Sequence, residues 1–492
     1  MVFNSLTFVV FFAMMLVLHN LPLSWKAKKT NLLLASYLFY AAWNPPFILL
    51  LWLSTVIDFF VGKALYAQQN PYKKKLLLVV SLIGNLGMLC FFKYGTFLLD
   101  NFVQLTSAIG LDFHPAKPNI ILPAGISFYT FTTLCYTIDM YKKRSEPVKS
   151  LLDFSLFVTF FPHLVAGPIV RPEQLVPQFE TPRRATQTQL LKGLFLLSLG
   201  LFMKVVLADG MLAAPVDAVF GSAAPVATLD AWMGVLAFSG QIFFDFAGYS
   251  TCAVAVAMCL GFVLPENFKY PYAATGFSDF WKRWHITLST WLRDYLYIPL
   301  GGNRHGKYRT YLNLMITMLL GGLWHGANWT FVVWGGLHGL FLAAEKMIQD
   351  FSRKRVPVAV RERELVVQGL SGAQVFKAIS SSKLLLALLT FFLVNVTWVF
   401  FRSPDFVTAW RILTSMFTDV KGGAELLPTL SMIKIAVIIS LMLVCHWLMR
   451  DRKVLSVTSR LHWWALGLAW AVMLILLILS QESTNSFIYF QF

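Results

Sequence analysis

The chain has 492 residues, 57% of them hydrophobic, 15% aromatic and only 13% charged, with a mean hydropathy of +0.64. Soluble domains carry about 25% charged residues, so this composition excludes a soluble globular protein and indicates an all-α, polytopic membrane protein. The formal net charge of +17 fits basic loops held on the cytoplasmic side of a bilayer better than nucleic-acid binding.

Apolar runs lie near residues 2–19, 31–43, 47–62, 76–92, 121–141, 188–207, 231–262, 311–323, 329–345, 384–401, 432–449 and 462–480, which predicts about 11–12 membrane helices. The first run lacks a basic leader and a small-residue cleavage site, so it is expected to stay as the first helix. Lys26, Lys28 and Lys29 follow it, Lys73, Lys74 and Lys75 precede the fourth run, and Lys142, Lys143 and Arg144 follow the fifth. Arg353, Lys354, Arg355, Arg361 and Arg363 fill the loop after the ninth, and Arg450, Arg452 and Lys453 follow the eleventh. By contrast, 208–230 holds Asp209, Asp217 and Asp230 and no basic residue. The positive-inside rule then puts both termini and 208–230 outside and the basic loops in the cytoplasm.

Two segments fall outside this alternation. Residues 151–166 are apolar but lie between two basic stretches, and they end in Pro162-His163 and Ala166-Gly167-Pro168, which reads as a re-entrant or interfacial piece. In 266–309, Trp281, Trp284, Trp291, Tyr295 and Tyr297 alternate with Lys282, Arg283, Arg293, Arg304, Lys307 and Arg309, a mixture suited to short helices at the cytoplasmic interface. The basic, serine-containing stretch 351–383 reads as a cytoplasmic loop. The cysteines Cys90, Cys135, Cys252, Cys259 and Cys445 sit in apolar runs without metal-ligand spacing, so no metal site is expected.

Chemistry concentrates around Gly321-Gly322-Leu323-Trp324-His325-Gly326-Ala327-Asn328-Trp329. The apolar run before it, about 13 residues, would span only about 20 Å, so it falls short of a hydrocarbon core of about 30 Å. A helix break at His325 is therefore expected inside the membrane, where an ionisable group marks a functional site by default. A second histidine, His285, lies in Phe280-Trp281-Lys282-Arg283-Trp284-His285. His163 and His338 are read as packing or hydrogen-bonding residues.

These two histidine segments resemble the membrane-bound O-acyltransferase (MBOAT) family. So do Pro265-Glu266-Asn267-Phe268, Leu300-Gly301-Gly302-Asn303-Arg304, Phe161-Pro162-His163-Leu164-Val165-Ala166-Gly167-Pro168 and Phe244-Asp245-Phe246-Ala247-Gly248-Tyr249-Ser250. The bacterial branch of the alginate O-acetylase type, related to peptidoglycan O-acetylases and teichoic acid D-alanyl transferases, is the one it is most similar to. The resemblance implies a single membrane domain over 1–492, a ring of tilted helices around a thin centre. Its implied activity is transfer of an acetyl group from a cytosolic thioester across the bacterial inner membrane, for O-acetylation of an extracytoplasmic polysaccharide. It implies His325 as the catalytic base, with His285 in a supporting catalytic role. Trp324, Asn328, Lys282, Arg283, Arg293 and Arg304 are then expected to bind substrate. No bound cofactor is implied; acetyl-CoA or another acyl thioester is the donor.

The end of the chain, Ser486-Phe487-Ile488-Tyr489-Phe490-Gln491-Phe492, resembles a C-terminal acyl-transfer motif in which the tyrosine hydroxyl carries the acyl group. A phenol of pKa about 10 forms an ester that leaves more readily than an alkyl ester. The competing reading of Tyr489 is an interfacial aromatic anchor. An external transferase of the SGNH type, with a Ser-His-Asp site, is the implied partner, because this chain shows no serine-nucleophile elbow. One departure favours D-alanyl transfer instead: Ala247 and Thr251 stand where acetylases usually carry Ser and Asp. A transporter with an intramembrane histidine is the reading of another class, but paired half-repeats with matching helix breaks are not evident.

Overall fold

A computed structural model describes residues 1–355, 372–419 and 422–480, and for 352–355 and 372–381 the helical backbone without side chains. Among the described residues the regular structure is helical apart from one isolated bridge between Val226 and Ala424. Each predicted apolar run corresponds to a helix, and among the described residues seven helices are long and apolar enough to cross a membrane. Helix Gly372–Arg402 starts inside the stretch read as a basic loop. Contacts group the chain into two units, each discontinuous in sequence.

The first unit comprises Met1–Val206, Asp245–Glu266 and the described residues from Gly467 onward. Its apolar helices cannot tell one another from lipid by hydrophobicity alone, so polar groups and small residues fix how they meet. Asp58, fully buried on helix Ile48–Ala67, accepts the Ser81 hydroxyl at 2.5 Å and the Asn85 amide N–H at 2.7 Å, both from helix Pro71–Leu89. Ser54 and Thr133 donate in turn to the Asn85 carbonyl oxygen at 2.7 and 3.1 Å, which brings in helix Ile126–Tyr141. Lys204 meets Asp245 at 2.5 Å with both side chains almost fully buried. The 151–166 segment is helix Leu151–Thr159 followed by turns through His163, and 153–170 is buried almost without interruption.

The second unit comprises Leu207–Phe244 and Asn267–Leu466. Its centre is a hairpin of helices Gly306–His325 and Trp329–Arg355. Glycines let the two backbones touch: a Cβ on Gly335 would stand 2.2 Å from the Met318 carbonyl oxygen, and one on Gly322 would stand 2.2 Å from that of Phe331. The first helix is longer than its apolar run, because Gly306, Lys307 and Arg309 continue it backward. Twenty residues span about 30 Å, so the length argument for a break deep in the bilayer does not hold. Burial, described below, is what isolates His325.

Two further segments take forms that loop charge did not specify. Most of the acidic stretch 208–230 is helical, in π-helical turns Phe202–Leu212 and helix Ala213–Gly221. Asp209 is buried, and Asp230 is spent accepting the backbone N–H groups of Leu426 and Leu427 at 3.0 and 2.7 Å. Asp217 remains at the surface, paired with Arg402 at 2.7 Å. Acids consumed by packing carry no topological signal. In 266–309 the short helices are present, Phe277–Trp281 and Ile286–Leu292, and Trp284, Trp291 and Tyr295 are buried in protein.

Candidate active site

His325 is the last residue of its helix, since Gly326 turns extended and Trp329 begins the next helix. It is 2% exposed. Three rings close on its imidazole: Trp324 with centroids 5.0 Å apart, Trp334 at 5.0 Å and Phe401 at 5.2 Å, all near edge-to-face. Trp334 stacks on Trp398 at 5.8 Å, and Trp398 packs on Trp284 at 5.1 Å; all three indoles are fully buried. The result is a rigid aromatic wall, because buried edge-to-face and stacked rings resist displacement.

His285 reaches the same place from a separate segment. Its ring lies near Trp324, with centroids 5.8 Å apart, and Phe268 stacks on it at 6.4 Å. The residue adopts left-handed backbone, φ 42° and ψ 55°, a strained conformation for a side-chain-bearing residue. Asn267 holds that turn. Its backbone carbonyl accepts from Ile286 N–H at 2.9 Å, and its side-chain oxygen accepts from Thr287 N–H at 3.2 Å and the Thr287 hydroxyl at 2.9 Å. Burial pushes the His285 imidazole down to about 3, so it is neutral near pH 7.

The other expected site residues separate into two groups. Arg283 is buried and occupied: Asp279 at 2.8 Å, Asp451 at 3.5 Å and the Arg450 carbonyl at 2.7 Å take up its guanidinium. Burial alone would raise the Asp279 pKa, but Arg283 and Arg450 outweigh it and hold the carboxylate below its ordinary range. Arg293 folds onto its neighbour Asp294 through two hydrogen bonds, at 2.7 and 3.1 Å. Asn328 caps helix Trp329–Arg355 and bonds the Pro404 carbonyl. Lys282 and Arg304 are exposed. Tyr489 lies outside the described residues. His338 bonds the Thr397 hydroxyl at 3.1 Å and packs on Trp334, as expected for a structural histidine.

The sequence reading missed Trp334, Trp398, Phe401 and the clamp made by Asn267. Trp334 had a local clue, since it follows His325 by nine residues at the start of the paired helix. Trp398 and Phe401 had none, because only folding brings them to the histidine.

The family model of the membrane-bound O-acyltransferase family matches residues 141–388. The probable alginate O-acetylase AlgI of Pseudomonas aeruginosa is 39% identical over 420 residues, which is 85% of this chain and 75% of that protein. Peptidoglycan O-acetyltransferase of Helicobacter pylori is 37% identical over 414 residues, 79% of this chain and 73% of its own. Teichoic acid D-alanyltransferase of Streptococcus thermophilus is 33% identical over 232 residues, 44% of this chain and 55% of its own. Taken with a buried histidine at a helix end inside an all-α membrane protein, these matches settle the family: the chain belongs to the membrane-bound O-acyltransferases and is a multi-pass O-acyltransferase.

Proposed function

We propose that this chain acetylates an extracytoplasmic polysaccharide by drawing acetyl groups from a cytosolic thioester such as acetyl-CoA. The supporting observation is His325, enclosed at a helix end by Trp324, Trp334 and Phe401. An imidazole there can take the proton of an attacking hydroxyl as its oxygen bonds to the thioester carbonyl carbon. Collapse of the tetrahedral adduct breaks the carbon–sulfur bond, and the departing thiolate takes the proton back from His325. Aromatic walls keep water from competing for the acyl group. His285, neutral and buried beside Trp324, offers a hydrogen bond to substrate without adding charge. Of the basic residues expected to meet the donor's charged part, exposed Lys282 and Arg304 are available, whereas Arg283 and Arg293 are engaged with carboxylates.

In this reading the chain sits in the bacterial inner membrane with both termini outside, and the acyl group passes through Tyr489 to an external transferase of the SGNH type. His325→Ala should abolish surface-polymer acetylation while the protein still reaches the membrane at parental levels. Ester content of the polymer measures this, and near-parental acetylation would sink the assignment. Reconstitution with acetyl-CoA and polymer alone should yield little product; full activity without a partner rules out the handover.

D-alanyl transfer is the second reading. It is supported by Ala247 and Thr251 in the Phe244–Thr251 stretch and by the partial likeness to the Streptococcus thermophilus protein. Mass analysis of the polymer-bound acyl group separates the two.

A further inference from the structure

Asn328 belongs to the most distinctive motif of the chain, yet both ends of its side chain are already occupied. Its carbonyl oxygen accepts the Thr330 backbone N–H at 3.0 Å and so caps helix Trp329–Arg355. Its amide nitrogen donates to the Pro404 carbonyl at 2.6 Å. Thr330 adds a second tie, its hydroxyl donating to the Ser403 carbonyl at 3.3 Å.

The tied partner matters for chemistry. Ser403 and Pro404 follow helix Gly372–Arg402, whose last turn carries Phe401, one of the three rings on His325. Ser403 is itself fixed, its hydroxyl donating to the Val399 carbonyl at 2.7 Å. Phe401 also meets Phe331, from the first turn of the capped helix, at 4.9 Å and 90°. The Asn328 strap therefore joins the turn that carries His325 to the helix end that carries the opposite wall. Gly326 leaves that turn little support of its own: its site has no room for a side chain, since a Cβ would stand 2.1 Å from the Phe331 ring.

We infer that Asn328 is a positioning residue: it sets the distance between His325 and Phe401 through the backbone at 403–404 and does not bind substrate. This rests on His325 being the catalytic base, as proposed above. Displacement of a reacting group by about 1 Å costs on the order of a hundredfold in rate, so a loosened strap should lower kcat and leave KM nearly untouched.

The test uses the full chain in membranes with acetyl-CoA as donor and its usual acceptor system. Asn328→Ala removes cap and strap, Asn328→Asp keeps the cap acceptor but loses the N–H donor, and Thr330→Val removes only the hydroxyl tie. Asn328→Ala and Asn328→Asp should each lower kcat by tenfold or more (roughly the scale of a misplaced base), with KM for acetyl-CoA within about twofold. Thr330→Val should lose less, and should add little when combined with Asn328→Ala, because both ties serve one joint. A raised KM at parental kcat, or an Asn328→Asp enzyme equal to the parent, overturns the inference. His325→Ala is assayed alongside: its retained activity would overturn the catalytic reading and the positioning inference with it, whereas an inactive His325→Ala beside a parental Asn328→Asp overturns the strap alone.

Discussion

His325 and Arg283 were both expected to face substrate, and they differ in what surrounds them. His325 is enclosed by rings that carry no charge to compete for its proton. Arg283 is satisfied by two carboxylates and two backbone carbonyls, and pulling it away would leave Asp279 short of a partner it needs while half-buried. An arginine so committed is a brace for the turn that leads into His285. Tyr489 is decided by chemistry at one atom. Tyr489→Phe keeps the aromatic body and deletes only the nucleophilic oxygen. Under the relay reading the variant loses polymer acylation while still consuming donor; retained polymer acylation in cells would decide for an interfacial anchor.

Among the elements, the hairpin of Gly306–His325 and Trp329–Arg355 depends on backbone contact. At Gly335 even one methyl group meets the Met318 carbonyl, which belongs to the facing helix and cannot move aside alone. At neighbouring Gly336 a Cβ would find the Leu319 side chain at an ordinary 3.4 Å. Gly335→Ala should therefore destabilise the protein by about 1–3 kcal/mol, the usual scale of overpacking, and reduce acylation by spreading the two helices that frame His325. Gly336→Ala should be nearly neutral. Thermal unfolding in detergent compares the pair, and equal midpoints would remove the close-approach argument. The same logic explains the Asp58 cluster: polar groups buried among apolar helices specify one arrangement of three helices that apolar packing would leave degenerate.

Across the whole molecule, orientation in the membrane rests on loop charge. Losing 208–230 as an acidic loop weakens one side of that argument, while the basic clusters near Lys73, Lys142, Arg353 and Arg450 still alternate along the chain. Lys307 offers the check, since it is exposed in the first turn of the His325 helix. With Cys90 and Cys445, the exposed native thiols, replaced, Lys307→Cys should react with an impermeant thiol reagent only after the cytoplasmic face is opened. Labelling in intact cells would reverse the orientation.

By itself the sequence determined the class and the approximate helices, and it singled out His325 as the candidate histidine. Apolar runs long enough for a bilayer leave the backbone no option but helix, and a short motif marks a helix end wherever the chain is read. Tertiary structure alone decided which polar residues are free. Asp209 and Asp230 look like loop charges until burial and the amides of Leu426 and Leu427 claim them; the Asn328 amide looks open until Pro404 arrives from 76 residues away. The wall around His325 was equally out of reach, because Trp398 and Phe401 approach it only when distant helices pack. Local pattern fixes what a segment can become, whereas a side chain's job depends on partners that sequence spacing does not encode.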